Sequence, residues 1–365
     1  IYEYPVEPPR WKRKITNIIR TMANLDWTKL GFGYRKTNTI LSCSYKDGQW
    51  GPVESHTDDN ISINAYAGAL HYSIECFEGL KAFRGADGKV RLFRPEENAK
   101  RLQRSAAYIG IAAPSVERFI EMCIRVVKEN IDFLPPYGTN ASMYLRPTLI
   151  GINPQLGVKS STECLFMMLC APVGAYTGNT LQPSYVVISR DYDRAAPNGT
   201  GSFKLGSNYA ASLYSYNLAH KLGYEAVLYL DPLHHQYIDE FNSSNFFGIR
   251  DNSYITPKSD TILPSITNKS LETVAKELGM TVERRPVPVE ELSTFEEVGE
   301  CGTAVVITPV YRIDDRPALE SDQVTPYYFG SKDQCGPKSL KLYKMIRGIQ
   351  DGEIEDPFGW CTFVE

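Results

Sequence analysis

Hydrophobic and polar positions predict a mixture of strands and helices in the first half of the chain. Short β-branched and aromatic runs alternate with turn signals from Thr37 to Arg94, and the runs at 79–83 and 90–93 flank a Gly-Ala-Asp-Gly-Lys turn that predicts a hairpin. Two later segments repeat apolar residues every three or four positions, as one-sided helices do. The elements predicted there are helices at about 96–108 and after Pro114, the second with Ser115 as N-cap, and buried strands at 142–150 and 162–171.

The second half follows a Gly-, Thr- and Pro-rich stretch at 174–184, where neither helical nor strand periodicity is clear. A Gly-rich loop at 197–201 leads into Phe203 and Lys204, and a helix is predicted from about Asn208 to Leu222. The other predicted elements are strands at 185–189, 226–229, 244–249, 253–256 and 304–308, and helices at 269–278 and about 289–292.

At roughly 100 to 200 residues per domain, a length of 365 residues predicts about two domains. The predicted division is an N-terminal extension at 1–30, a small domain at 31–175, an interdomain linker at 176–186 and a large domain at 187–365. The extension combines prolines with basic residues, which suits a solvated segment, a helical arm or the remnant of a targeting peptide.

Composition excludes several classes of protein. The 39 Lys and Arg residues against 43 Asp and Glu residues give a net charge of −4, which argues against nucleic acid or an anionic membrane as the main partner. The longest apolar run, Cys164 to Ala171, is far shorter than the roughly 20 residues that span a bilayer. The 8 cysteines form no CxxC pair and no Cys/His cluster, so we expect no metal site and reduced thiols. A cytoplasmic location is expected, or a mitochondrial one if a transit peptide has been removed.

One lysine is a candidate for chemistry. Lys204 follows the Gly-rich loop and an aromatic residue, just ahead of the predicted helix. A lysine in a tight, desolvated setting can act as a Schiff-base nucleophile, although a solvated surface lysine is the ordinary alternative. A Gly-rich loop that enters a helix also suggests phosphate binding, but the sequence matches neither the P-loop nor the GxGxxG pattern.

Eight separated segments match the pattern of one protein family. On these segments, the chain closely resembles the branched-chain amino acid aminotransferases, which are pyridoxal-phosphate enzymes of fold type IV. The resembling segments, which occur in the family's order, are LHYSIECFEGLKAFRG (70–85), RLFRPEENAKRLQRSA (91–106), YLRPTLIG (144–151), APVGAYTG (171–178), FKLGSNYA (203–210), IDEFNSSNFF (238–247), TILPSITNKSL (261–271) and CGTAVVITPV (301–310).

The resemblance implies roles for residues around the cofactor, pyridoxal 5'-phosphate. Lys204 matches the Schiff-base lysine, which also moves the substrate proton, and Glu240 matches the acid at the pyridine nitrogen. Tyr209 matches the donor to the ring oxygen. The phosphate would be held by the family's arginine and by backbone and hydroxyl groups, which match Arg101, Ser265, Ile266, Thr267 and Thr303.

The resemblance also implies substrate contacts. The positions around the amino-acid carboxylate match Tyr72, Ser243, Thr303 and Ala304. The apolar side-chain pocket matches Phe77, Tyr144 and Tyr176, with Arg146 on its wall for the side-chain carboxylate of glutamate and Leu156 supplied by a neighbouring subunit. Each of these aromatic residues could equally be ordinary core.

The chain departs from the family pattern at several positions. Ser265 and Asn268 stand where Gly and Arg are common, and Ser265 would be strained if its φ had to be positive. Asn242 replaces a common Gly, although Asn tolerates the left-handed region. Val305 and Thr308 replace a CxxC redox pair that the mammalian enzymes have, so we expect no thiol switch.

The resemblance implies a homodimeric α+β enzyme with a smaller N-terminal α/β domain, a larger C-terminal pseudo-barrel domain and the cofactor between them. It implies amino-group exchange between L-leucine, L-isoleucine or L-valine and 2-oxoglutarate. Two alternatives stay open: a relative with other chemistry, such as a D-amino acid aminotransferase or aminodeoxychorismate lyase, and a non-catalytic cofactor-binding protein.

Overall fold

The computed structural model describes residues 25–174 and 181–365. Its α-helices are α1 (Gly68–Tyr72), α2 (Pro95–Tyr108), α3 (Val116–Glu129), α4 (Gly206–Lys221), α5 (Ile266–Glu277) and α6 (Pro337–Gln350). Short 3₁₀ helices lie at Trp27–Lys29, Ile131–Phe133 and Val289–Thr294. Most of the predicted N-terminal extension and the first part of the predicted linker lie outside the described residues.

The strands of the first half are β1 (Ile40–Lys46), β2 (Gln49–Trp50), β3 (Glu54–His56), β4 (Glu75–Phe77), β5 (Leu80–Arg84), β6 (Val90–Phe93), β7 (Ser142–Gly151) and β8 (Cys164–Val173). Those of the second half are β9 (Ser184–Ser189), β10 (Ala226–Leu230), β11 (Ile238–Phe241), β12 (Asn245–Arg250), β13 (Ser253–Pro257), β14 (Thr281–Arg285), β15 (Glu297–Gly302), β16 (Val306–Asp315), β17 (Thr325–Tyr328) and β18 (Cys361–Phe363).

The first sheet is antiparallel, with the order β18-β6-β5-β7-β8-β1-β2, and β3 and β4 pair with β1 and β7. Its central strand β7 sends successive side chains to opposite faces. Met143 and Leu145 are fully buried in the core that α2 and α3 cover, whereas Tyr144 and Arg146 point to the other, more open face. The strand thereby positions two predicted pocket residues together.

The second sheet closes on itself. Its strands run in the order β11-β10-β9-β16-β15-β12-β13-β14, with β17 on β16, and an additional pairing between β11 and β12 completes a ring. That closing pairing joins Glu240 to Asn245. The ring confirms the predicted pseudo-barrel of the second half, and it places a predicted cofactor residue at the seam of the barrel.

Apolar packing joins the two sheets. Helices α5 and α6 cover the barrel with residues such as Leu271 and Leu342, and the same buried cluster includes Phe83 and Phe93 of the first sheet. The C-terminal strand β18 returns to pair with β6. The two sheets, each covered by helices, confirm the α+β class.

Most predicted elements are confirmed. The hairpin is β5–β6, and the helix predicted at 96–108 is α2. Ser115 is an N-cap, because its Oγ accepts a hydrogen bond of 3.2 Å from the N–H of Arg118. Amphipathic helices and tight turns are fixed by neighbouring residues, so local pattern finds them.

Other elements differ from prediction. Helix α5 begins at Ile266, three residues earlier than predicted, and the helix predicted after Asn208 begins at Gly206. The strand predicted at 304–308 is β16, which begins at Val306 and continues to Asp315. Strand β15 and helix α6 are not predicted. The polar and glycine residues of β15 give weak strand periodicity, and the mixed pattern of α6 gives weak helical periodicity.

Candidate active site

Lys204 lies on the wall of a cavity of about 750 Å³ between the first sheet and the barrel. Its Nζ donates a hydrogen bond of 2.8 Å to Tyr209 Oη and lies 4.9 Å from the centre of the Phe77 ring. The backbone of Lys204 is also fixed on both sides. Its N–H donates to Ser105 Oγ at 2.9 Å, and its carbonyl accepts from the N–H of Phe77 at 3.1 Å. The amine is therefore held in place by elements of both halves of the chain.

Glu240 is a buried acid at the barrel seam. Its Oε1 accepts from Arg194 Nη2 at 2.7 Å and from the N–H of Leu263 at 2.8 Å, and its Oε2 accepts from Asn245 Nδ2 at 2.7 Å. Burial raises the pKa of Glu240 to about 7, although the nearby charges of Arg194 and Lys204 act in the opposite direction. A carboxylate so placed would gain from a further cationic hydrogen-bond donor, such as a protonated ring nitrogen.

Arg101 is held beside the N-terminus of α5. Its Nε and Nη2 donate to the two carboxylate oxygens of Glu78 at 2.7 and 2.8 Å, and its Nη1 donates to the carbonyl of Pro264 at 2.8 Å. A guanidinium has five N–H groups, so two of them stay available for an anion. The first N–H groups of a helix lack intrahelical acceptors and favour anions.

The turn before α5 is not strained. Ser265 has a φ of −74° and its Oγ accepts from the N–H of Asn268 at 3.1 Å, so it is an ordinary N-cap and the positive φ that would have strained it does not occur. Asn268 is buried scaffold, since its amide group contacts Tyr254 and Thr256. Asn242 is not among the described non-glycine residues with positive φ.

A small cavity brings the other predicted phosphate residues together. Ile266, Thr267 and Thr303 all line it. Thr303 Oγ1 donates to the carbonyl of Gly79 at 3.3 Å, which ties the 303–305 turn to the first sheet. The next residue after that turn, Val306, has a φ of 66°, an unusual value for a β-branched residue that marks a constrained backbone.

The predicted side-chain pocket is formed by residues of the first sheet. Phe77, Tyr144 and Arg146 line the cavity of Lys204, and Ser243, Thr303 and Ala304 line it from the barrel. The Arg146 guanidinium lies 4.8 Å from the centre of the Phe77 ring, and its Nε is buried without a hydrogen-bond partner. An acceptor on a ligand would satisfy that nitrogen.

Three predicted residues are elsewhere or outside the described residues. Tyr72 is not on the cavity wall, because its Oη donates to the carbonyl of Leu156 on the exposed surface. Leu156 is 76% exposed. Tyr176 lies outside the described residues.

Sequence reasoning missed three charged partners. Glu78 and Lys81 both lie in the segment 70–85 that resembles the family, where they were treated as part of the match without a role. Arg194, the partner of Glu240, lies in the Asp-Tyr-Asp-Arg run 191–194, whose charges are also typical of a solvated turn. The signal available was a single charge within an otherwise apolar stretch, as at Glu78 and Lys81.

The described part of the chain contains no group of acidic, cysteine or histidine residues that could hold a metal ion. It also contains no helix long and apolar enough to cross a membrane. All 8 cysteines fall in the described ranges and none forms a disulfide.

Comparison with known proteins defines the class of this site. A family model described as amino-transferase class IV matches residues 75–313. The match covers most of the barrel and includes Lys204, so the chain is a class IV aminotransferase in fold and family.

Individual relatives define the family more closely. The chain is 46% identical to the branched-chain-amino-acid aminotransferase of Haemophilus influenzae over 351 residues, which are 94% of this chain and 100% of the relative. It is 44% identical to that of Helicobacter pylori over 342 residues, or 93% and 98% of the two chains. The chain belongs to the branched-chain-amino-acid aminotransferase family, as the sequence predicted.

Solved structures agree with this assignment. The Escherichia coli branched-chain amino acid aminotransferase has a TM-score of 0.72 and 28% identity, and covers 90% of this chain and 100% of its own. The T.th. branched-chain amino acid aminotransferase, solved with pyridoxamine 5'-phosphate, has a TM-score of 0.74 and 26% identity, covering 91% and 100%. The predicted two-domain type IV fold is therefore confirmed.

Lys81 leads to a prediction about pH. It is buried, its Nζ donates to the Ala304 carbonyl at 2.7 Å, and burial lowers its pKa from 10.5 to about 7. Between those values the unfolded chain binds a proton that the folded protein does not, so the free energy of unfolding should rise with pH across this window. Chemical denaturation at several pH values should show a smaller rise for Lys81→Met than for the unsubstituted protein.

The exposed Lys89, in the turn that precedes β6, is the matched control. Lys89→Met should keep the full pH dependence, because the substitution leaves the buried amine of Lys81 in place. An equal rise in all three proteins would contradict the assignment to Lys81.

Proposed function

We propose that this chain catalyses the pyridoxal-phosphate-dependent transamination of L-leucine, L-isoleucine and L-valine with 2-oxoglutarate, giving branched-chain 2-oxo acids and L-glutamate. The observation that carries the proposal is the Lys204 amine, held by Tyr209 at 2.8 Å in a cavity with an aromatic wall. Membership of the family supports the same reaction.

The residues present fit the cofactor. Arg101, Thr303 and the N-terminus of α5 at Ser265, Ile266 and Thr267 would hold its phosphate. Glu240 would accept a hydrogen bond from the ring nitrogen, and Tyr209 would donate to the ring oxygen. When bound, pyridoxal phosphate supplies an electron sink that stabilises negative charge at the substrate Cα.

The side chains of the chain itself would then carry the proton. Lys204 Nζ would accept the proton from the substrate Cα and donate it to C4′ of the cofactor, and the reverse in the second half-reaction. The aromatic rings of Phe77 and Tyr209 lie beside this amine, with ring centres 4.9 and 5.2 Å from Nζ. These rings would limit the access of water to the point of transfer, which would strengthen the electrostatic interactions there.

The two walls of the cavity suit two kinds of substrate. Phe77 and Tyr144 would contact the branched aliphatic side chain of the substrate. Transfer of that side chain from water to an apolar wall lowers the free energy of binding. Arg146, with its unpartnered Nε, would receive the side-chain carboxylate of glutamate or 2-oxoglutarate in the second half-reaction. Thr303, Ala304 and Ser243 would bind the carboxylate that both substrates share.

The cofactor spectrum tests this proposal. L-leucine should bleach the yellow absorbance of the purified, cofactor-loaded protein, and 2-oxoglutarate should restore it. D-alanine should leave the absorbance unchanged, since bleaching by D-alanine alone would indicate a D-amino acid aminotransferase. A protein that takes up no cofactor and shows no yellow band would overturn the proposal.

We also propose that the chain forms a homodimer through an apolar patch made of Tyr66, Leu70, Leu156 and Val158. These residues are 55%, 61%, 76% and 80% exposed. They lie together, because the N–H of Gln155 donates to the carbonyl of Tyr66 at 2.9 Å. Exposed apolar patches mark interaction sites. Leu156 of this patch, together with Tyr72, whose Oη donates to the Leu156 carbonyl, would complete the substrate pocket of the second copy.

Sedimentation of Leu70→Glu/Val158→Glu should show a dissociation constant raised by at least about tenfold, because two charges would be buried at the interface. Activity should fall with it. Leu233→Glu, at a residue that is 67% exposed in a turn of the barrel half, is the matched control and should stay dimeric. A fully active monomeric wild-type protein would contradict the dimer.

A further inference from the structure

Glu300 is an acidic side chain in the active-site cavity that none of the roles above uses. It lies on β15, opposite Thr308 of β16, and lines the same cavity as Lys204. The side chain is only half-buried although it lies inside the barrel half, because part of it faces the cavity. A ligand in the cavity can therefore reach it.

Glu300 has hydroxyl partners. Ser244 Oγ donates to Oε2 at 2.6 Å, and Ser184 Oγ lies 3.4 Å from Oε1 and also 3.2 Å from the carbonyl of Pro309. A carboxylate has about four acceptor positions. These contacts occupy at most two of them, so Glu300 can accept further hydrogen bonds from a molecule in the cavity.

What Glu300 lacks is a cation. Glu78 and Glu240, the other acids of the site, each pair with a buried arginine. No Lys, Arg or His in the described ranges forms an ion pair with Glu300, and the neighbouring charge that acts on it is that of another acid, Glu225. Burial raises the pKa of Glu300 to about 7.

An unpaired acid in such a place is costly, because neither a branched aliphatic side chain nor the second carboxylate of glutamate supplies a cation for it. Desolvation of a carboxylate destabilises its charged form unless a cation or several donors compensate. The contacts of Lys204 and Glu240 described above do not involve Glu300. The missing partner is therefore best supplied by a ligand.

We propose that Glu300 is a specificity-determining residue that receives a side-chain ammonium group, so that the enzyme also transaminates diamino acids such as L-ornithine and L-lysine. This inference rests on the proposed function of the same site. The Cα–N bond of the donor breaks and a carbonyl forms at its Cα, while the amino group and two electrons pass to the 2-oxo carbon of 2-oxoglutarate. The side-chain ammonium is unchanged.

Matched substrate pairs isolate the ammonium group. L-norleucine is L-lysine without its ε-amino group, and L-norvaline is L-ornithine without its δ-amino group. We would measure L-glutamate formed from 2-oxoglutarate at about pH 8, above the pKa of Glu300, where the carboxylate is ionised. In Glu300→Gln, the ratio of kcat/KM for L-lysine to that for L-norleucine should fall by at least about tenfold. The same fall is expected in the ratio for L-ornithine to L-norvaline if the shorter diamino acid is the better substrate.

Further variants separate specificity from folding. Glu300→Gln should keep kcat/KM for L-leucine within about threefold, and Glu300→Ala serves in the same way if the amide disturbs the pocket. Glu225→Gln removes an exposed carboxylate from the same cavity wall and should change the ratio by less than about threefold. Neither Glu300 variant should be less stable to heat, because each removes an uncompensated charge.

The inference is overturned if L-leucine reacts but neither diamino acid does, or if Glu300→Gln leaves the ratios unchanged. Failure of L-leucine itself to react would instead overturn the proposed function. The two failures are therefore distinguishable in one set of assays.

Discussion

Lys204→Ala should lower kcat with L-leucine and 2-oxoglutarate by about 10⁴-fold or more. Two roles disappear together, because the same amine would hold the cofactor covalently and carry the Cα proton. No other lysine in the described ranges lines the cavity, so no second amine can take over. Steady-state assays at saturating cofactor measure the loss.

Covalent attachment can be tested on its own. Borohydride reduction should fix the cofactor to the unsubstituted protein, and peptide mass spectrometry should find it on Lys204. Lys204→Arg should show no attachment, because a guanidinium keeps the charge without a nucleophilic amine. Lys221→Ala, an exposed lysine at the end of α4, should retain full activity. Attachment at another lysine, or an active Lys204→Ala protein, would contradict the assignment.

The position of Lys204 could be predicted because its signals are local. The Gly-rich loop at 197–201 and the start of α4 at Gly206 are adjacent in sequence, and the family resemblance supplied the role. Helix α2 and the β5–β6 hairpin were predictable for the same reason, since periodicity and turn chemistry act over a few residues.

The partners of the charged groups could not be predicted, because they depend on closure of the barrel. Arg194 and Glu240 are far apart in sequence and meet only in the assembled barrel, as do Glu240 and Leu263, whose N–H donates to the same carboxylate. Register between distant strands leaves no local trace. The cation-free surroundings of Glu300 are likewise a property of the assembled cavity.

Ser265 shows how a local preference decides a departure from the family pattern. The sequence predicts strain at Ser265 only if its φ is positive. Serine is among the best N-cap residues, and here it begins α5 at an ordinary φ of −74°. The predicted division into domains, and the roles assigned to individual site residues, stay predictions.

Glu240→Gln should lower kcat by about 10²- to 10³-fold, the size of effect seen when one preorganised electrostatic group is removed from a transition state. The carboxylate would keep the cofactor ring nitrogen protonated, and an amide has no charge with which to do so. The ring would then accept electron density from the substrate less readily. Single-turnover bleaching by L-leucine at saturating cofactor isolates this step from cofactor binding.

The neighbouring acid separates chemistry from structure. Asp239 lies on the same strand, is buried, and accepts a hydrogen bond from Thr261 Oγ1, so Asp239→Asn disturbs the barrel seam without touching the Glu240 carboxylate. We expect its single-turnover rate to stay within about tenfold of the unsubstituted rate. Equal losses in the two variants would mean that the effect comes from the seam. Such losses would point to displacement of Arg194 from Glu240. Arg194 is held in the same seam by the carbonyls of Gly201 and Thr261, and Thr261 is also the partner of Asp239.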